Sequence, residues 1–192
     1  MASLEWSDFI TEVQQLGAEG LTEDRLFDMV CRLRVDATLL DPHIQFSTEN
    51  YARHVIYRDE AVEVICLCWM PGQGTPVHNH GRSFGVVCVH EGILACTGFR
   101  RLDSAGEPGR AELEATTLVY ATSGTRLLDR VGSTHRLSNP AHLNEPAVSL
   151  HFYAGPLDWM EVFDLRSGTV EVRPMFGEPV GPGEPDPGLT AS

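Results

Sequence analysis

The chain has 192 residues, 42% of them hydrophobic and 21% charged, with 27 acidic against 14 basic side chains and a formal net charge of -13. That length accommodates one domain with a sizeable core, and the composition excludes a disordered chain. The acidic balance excludes a general nucleic-acid binder, which needs a basic face for phosphates.

Met1-Ala2-Ser3-Leu4-Glu5-Trp6 lacks the basic start and continuous apolar run of an export signal. No apolar run reaches the roughly 18 residues of a membrane span, so a cytoplasmic protein with no membrane partner is expected. Trp6, Phe9, Ile10, Val13 and Leu16 recur at helical spacing, and Gly17 and Gly20 close the segment, which predicts a first amphipathic helix. Thr22 is placed to cap a second, with Glu23 and Asp24 in its first turn and Leu26, Met29, Val30 and Leu33 as its apolar stripe. Both helices, within about residues 4–35, are too short to bury much surface alone. They are read as packing elements of a single domain, residues 1–176.

From Tyr51 the chain changes to short runs rich in Val, Ile, Leu, Phe and Tyr, punctuated by Gly, Pro, Asp or Asn. Candidate strands are 51–58, 61–70, 76–80, 84–90, 93–101, 111–119, 125–130, 134–138, 146–153, 158–164 and 169–174. Strands of this length and spacing predict a sandwich or barrel over about residues 51–175. Glu91-Gly92 reads as a tight hairpin turn and Asp103 to Gly109 as a longer polar loop. Between Gly177 and Ser192, eight of sixteen residues are Gly or Pro, so 177–192 reads as an irregular tail. The five cysteines, Cys31, Cys66, Cys68, Cys88 and Cys96, are an odd set in apolar segments and read as reduced core thiols. Cys66-Leu67-Cys68 has the look of a metal pair, but no second pair exists, and its apolar run favours the core.

Chemistry concentrates at His78-Asn79-His80, where two imidazoles one residue apart share a strand face. Neutral imidazole suits Fe, Zn, Cu or Ni, although two exposed strand histidines would share that spacing. A third arm is available 55 residues after His80, at His135. A second constellation is Ser149-Leu150-His151-Phe152-Tyr153. Period-two alternation puts Ser149, His151 and Tyr153 on one face, able to form a chain of hydrogen bonds, and Leu150 and Phe152 on the other.

Two spaced signatures tie these residues together. Gly72, five residues, His78-Asn79-His80, four residues, Gly85, six residues and Gly92 resemble the first cupin signature, with Gly85 where most cupins carry a glutamate ligand. Gly124, five residues, Arg130-Val131-Gly132, two residues, His135, three residues and Asn139 resemble the second, with Arg130 in place of the usual proline. The absent glutamate makes the chain most similar to the thiol dioxygenases, and among them to the cysteine dioxygenase family. Tyr51-Ala52-Arg53, His135-Arg136-Leu137-Ser138-Asn139-Pro140 and Glu145-Pro146-Ala147-Val148-Ser149-Leu150-His151-Phe152-Tyr153 also look like family motifs, and the likeness covers about residues 4 to 175.

The resemblance implies a mainly β, jelly-roll-like cupin barrel with a short α-helical N-terminal segment, holding Fe(II) through His78, His80 and His135. It implies that Tyr153, His151 and Ser149 serve catalysis, that Arg53 pairs with a substrate carboxylate, and that Tyr51 assists it. The expected partners are L-cysteine and O2, with cysteine sulfinic acid as product, and the protein is read as a monomer. A dioxygenase for another small thiol acid such as 3-mercaptopropionate, or a metal-binding cupin sensor without turnover, is the alternative. Three neutral ligands leave Fe(II) its full charge, for which a substrate thiolate is the natural counter-ion. Gly85 stands where animal members have a cysteine cross-linked to tyrosine, a pattern that resembles bacterial members. Ala154-Gly155-Pro156, after Tyr153, departs from the family's Ser-Pro-Pro. His43, His54, His90 and His142 read as structural or solvent-facing, and Trp69 and Trp159 as core.

Overall fold

The computed structural model describes residues 2–103 and 109–175. The loop expected from Asp103 to Gly109 falls largely outside the described residues, as does the Gly- and Pro-rich tail. The first helix, α1 (Trp6–Gly20), is interrupted at Gly17, whose φ of 61° no other residue type adopts as cheaply. The next, α2 (Glu23–Arg32), is capped as its sequence predicts: the Thr22 hydroxyl accepts the Arg25 N–H at 3.3 Å. A four-residue helix, α3 (Ala37–Leu40), was not foreseen, and Asp36 caps it through the Leu39 N–H at 2.9 Å.

Each predicted strand is present within a few residues of its expected bounds. They are β1 (Ala52–Arg58), β2 (Val62–Trp69), β3 (Val77–Asn79), β4 (Gly85–Glu91), β5 (Ile93–Arg101), β6 (Leu113–Thr122), β7 (Arg126–Asp129), β8 (Thr134–Ser138), β9 (Ala147–Ala154), β10 (Trp159–Phe163) and β11 (Val170–Pro174). They form two antiparallel sheets, five-stranded β1-β2-β9-β4-β7 and six-stranded β11-β10-β3-β8-β5-β6. The expected mainly β architecture with N-terminal helices is therefore observed.

Glu91-Gly92 is not a hairpin turn. The strands it joins lie in different sheets: β4 pairs with β7 and β9, β5 with β6 and β8. Gly92 turns the corner at φ 75°, where a Cβ would lie 2.5 Å from the Pro146 carbonyl oxygen. The local residues suit a tight reversal, but pairing partners from distant sequence pull the two strands apart.

The five-stranded sheet is covered on both faces, which explains the unbroken apolar run in β2. Val62, Val64, Cys66 and Cys68 pack toward the helices with Phe9, Val13, Leu26 and Met29, while Ile65, Leu67 and Trp69 face the second sheet. The same alternation in β9 turns Leu150 and Phe152 to the helices, where Phe9 and Phe152 meet edge to face at 5.6 Å. Ser149, His151 and Tyr153 are left, buried, between the sheets. A fully buried ring of this size contributes about 2–3 kcal/mol, so the helices hold the sheet whose inner face carries polar side chains. Cys66 and Cys68 lie in the core as read, with sulfurs 3.9 Å apart, but Cys31 is exposed. No described helix is long and apolar enough to cross a membrane.

Candidate metal centre

His78 and His135 are cross-strand partners in β3 and β8, and His80 follows the last residue of β3. Asn79, pointing the other way, donates to Glu161 at 2.7 Å and accepts the Gly81 N–H at 3.1 Å, which fixes the exit from β3. Gly81, at φ 59°, lies under the Trp159 ring, where a Cβ would approach to 2.4 Å. Trp159 is thus not core: it is 43% exposed and covers this turn. On the far side, Glu23 of α2 binds Arg130 at 2.5 Å and accepts the Val131 N–H at 3.0 Å, holding the turn that leads into His135. Arg130, which replaces the signature proline, thereby gains a partner that a proline would lack.

The three imidazoles are buried, and their ligand atoms lie within 4.8 Å of one another. His78 turns Nδ1 to the Pro76 carbonyl at 3.0 Å, and His80 turns Nδ1 to Asp129 Oδ2 in a very short contact. His135 Nδ1 lies 3.2 Å from Asp129 Oδ1, close enough for a charge pair although bent away from a full hydrogen bond. Acceptors on the Nδ1 side leave the Nε2 lone pairs bare, and those of His78 and His80 face each other at 3.0 Å. Two bare imidazole nitrogens at that distance repel unless a cation lies between them, so the donor set fits a metal ion. Burial, then the charges of the neighbouring imidazoles, pushes His78 well below its ordinary pKa. Burial also depresses His80 against the opposing pull of Asp129. Both rings are therefore neutral, as coordination requires. Burial raises the Asp129 carboxyl, but His135 and His80 outweigh it and hold the group well below the usual carboxylate range.

A cavity of about 30 Å³ opens beside the imidazoles, bordered by Tyr51, Arg53, His78, His80, His151 and Tyr153. His135 closes the cluster from behind and borders a separate cleft with Asp129. Ser149 lies one layer back. Its hydroxyl accepts the Trp69 indole N–H at 2.9 Å and lies 2.8 Å from His151 Nε2, while His151 Nδ1 lies 3.2 Å from the Tyr153 hydroxyl. Indole can only donate. The direction that uses every donor runs from Trp69 to Ser149 to His151 Nε2, then from His151 Nδ1–H to the Tyr153 oxygen, which frees the Tyr153 proton. That ring lies 4.9 Å from the ring of His80. Burial lowers His151 to about 3, so it stays neutral near pH 7, and burial raises Tyr153 far above the ordinary phenol range.

Arg53 meets Glu63 at 2.6 Å, a fully buried carboxylate that also accepts the Leu157 N–H at 3.0 Å and lies 3.6 Å from Arg58. The Arg53 Nε is buried with no hydrogen-bond partner among the described residues. Tyr51 stacks on Trp69 at 4.7 Å, and burial raises its hydroxyl to about 12. Sequence reasoning missed Asp129, Glu63 and the donor role of Trp69. Two of these left a trace, since Glu63 is the only charge in the apolar run from Ala61 to Trp69, and Asp129 ends Leu127-Leu128.

A model of the family described as cysteine dioxygenase type I matches residues 7–166. Cysteine dioxygenase type 1 of Danio rerio is 31% identical over 130 residues, 65% of this chain and 61% of that protein. The protein of the same name from Rattus norvegicus is 30% identical over 127 residues, 66% of this chain and 62% of that one. For the Homo sapiens protein of that name the values are 28% over 134 residues, 69% and 65%. The chain thus spans about three fifths of the length of the first two curated relatives it matches.

Proposed function

The chain belongs to the cysteine dioxygenase type I family, and from that premise we propose that it is an iron-dependent thiol dioxygenase converting L-cysteine and O2 to cysteine sulfinic acid. The observation that carries this reading is the convergence of His78, His80 and His135 beside a cavity bordered by Arg53. In this reading the three imidazoles hold Fe(II), which when bound supplies the redox chemistry that brings both atoms of O2 to a thiol sulfur. Zinc offers no such redox change.

The protein's own groups bind and orient. The unpartnered Nε edge of Arg53 offers the substrate carboxylate a charge-assisted contact, and the Tyr51 hydroxyl, protonated at neutral pH, adds a donor. Tyr153 keeps its proton for the same reason of burial and presents it toward the cavity. His151 acts as a neutral spacer that aligns the Tyr153 hydroxyl, and Ser149, held by Trp69, fixes the tautomer of His151. The protein works as a single domain of residues 1–176, as a monomer and in the cytoplasm.

Anaerobic loading with Fe(II), followed by air and either cysteine or 3-mercaptopropionate, tests the reading through oxygen uptake and mass spectrometry of the sulfinate. Oxygen consumption matching cysteine sulfinate formed is expected, with slower turnover of 3-mercaptopropionate. A clear preference for 3-mercaptopropionate overturns the substrate. Iron loading without oxygen uptake on either thiol overturns the activity and leaves a metal-binding sensor.

A further inference from the structure

Gly85 on β4 has Asp129 of β7 as its cross-strand partner on one side and Tyr153 of β9 on the other. A Cβ at residue 85 would lie 2.7 Å from the Phe152 carbonyl oxygen and 2.8 Å from the Tyr153 ring. With Tyr153 where it is, no side chain fits at 85, and so no ligand carboxylate can stand there. The adjacent strand carries one instead. Asp129 is 6% exposed, and among the described residues its charge partners are His80 and His135. Burying a carboxylate away from arginine or lysine is costly, and here Oδ2 is hydrogen-bonded to His80 while Oδ1 faces His135 Nδ1 at 3.2 Å with no full hydrogen bond.

We propose that Asp129 is a positioning residue for the metal: it fixes the tautomers of His80 and His135 and supplies, beyond the imidazoles, the negative charge that a ligand at residue 85 would have contributed. A carboxylate only accepts, so His80, hydrogen-bonded to it, directs an Nδ1–H toward it, and the charge 3.2 Å from His135 Nδ1 favours the same tautomer there, leaving Nε2 of both rings as bare donors to the metal. His78 reaches the same state through the Pro76 carbonyl, without added charge. One carboxylate therefore sets two ligands at once, and the site is less positive than three isolated imidazoles around a divalent cation would be. The inference rests on the metal-site reading but not on turnover.

Asp129→Asn separates the two roles of the oxygens, because its amide can accept from one imidazole but must donate to the other, moving that ring's proton from Nδ1 to Nε2. Fe(II) affinity, measured anaerobically by competition with a chelator, is expected to fall 10- to 100-fold relative to the unsubstituted protein, as for comparable partners of metal-bound histidine. In the metal-free variant, long-range ¹H–¹⁵N correlation of the imidazoles should show one of His80 and His135 as its Nε2–H tautomer. Unchanged affinity together with two Nδ1–H rings overturns the proposal. Should the variant not fold, the metal-free unsubstituted protein still decides: Nδ1–H on both rings upholds the assignment, and Nε2–H on either overturns it. A protein that binds Fe(II) tightly but oxidises no thiol would sink the dioxygenase reading and leave this result standing.

Discussion

Arg53 and Glu63 form a buried ion pair against which the proposed recognition role of Arg53 can be tested. One guanidinium nitrogen is spent on a carboxylate with no solvent exposure, and the Nε has no hydrogen-bond partner among the described residues. Removing one member of such a pair strands the other, at about 3–5 kcal/mol. Arg53→Gln should therefore cost a few kcal/mol in urea unfolding and raise KM for cysteine at least tenfold, with Fe(II) loading unchanged. Adding Glu63→Gln should recover most of the stability and none of the KM, because the orphaned charge is gone while the recognition edge is still missing. If the double variant regains normal KM, Arg53 does not touch the substrate. His151 makes a different point at the same scale. It lies in a polar chain, yet burial lowers its pKa and removes it as a proton acceptor near pH 7, so the role proposed for it is to align Tyr153. Tyr153→Phe, which deletes the hydroxyl and keeps the ring over His80, should lower kcat more than it changes KM, and equal iron content in both proteins would exclude a lost metal as the cause.

At the level of elements, the corner at Gly92 and the turn at Gly132 have nearly the same backbone, φ 75° and φ 74°, in different surroundings. A Cβ at Gly132 meets nothing within 4 Å, whereas one at Gly92 meets Pro146 and Ala147 at 2.5 and 2.9 Å. Gly132→Ala should cost only the roughly 1–2 kcal/mol of a left-handed non-glycine residue. Gly92→Ala should cost about 1–3 kcal/mol more, through the clash where β4 leaves one sheet and β5 enters the other. Equal shifts in the urea midpoint would show that the corner yields freely. Strand positions and the two main helices were legible because alternation and helical spacing are local signals, as with Thr22 and the stripe from Leu26 to Leu33. The misread hairpin at Glu91-Gly92 shows the limit: a turn residue reports that the chain bends, while the partners that decide where it goes are Val148 for Glu91 and Thr122 for Ile93.

For the molecule as a whole, the buried polar core between the sheets links stability to pH. In the folded state His151 titrates near 3, against about 6.5 in the unfolded chain. Between those values the unfolded state binds a proton that the folded state refuses, so acidification favours unfolding. Its contribution is complete above about pH 6.5 and is lost as pH falls, with a slope approaching ~1.4 kcal/mol per unit. The metal-free protein should accordingly lose stability from pH 7 to 5, and His151→Gln should flatten that dependence by about one proton in urea titrations. A variant whose pH dependence matches the parent would show that His151 charges without unfolding. The mainly β fold, the N-terminal helices and the three histidines were legible along the chain alone, because periodicity and signature spacing are carried by neighbours in sequence. The sequence could not reveal that Asp129 faces two of those histidines, that Glu63 occupies Arg53, or that Trp69 anchors Ser149. Those contacts join residues 6 to 80 positions apart, and only the antiparallel registers of β1, β2, β4, β7 and β9 and the closure of the two sheets bring them within reach.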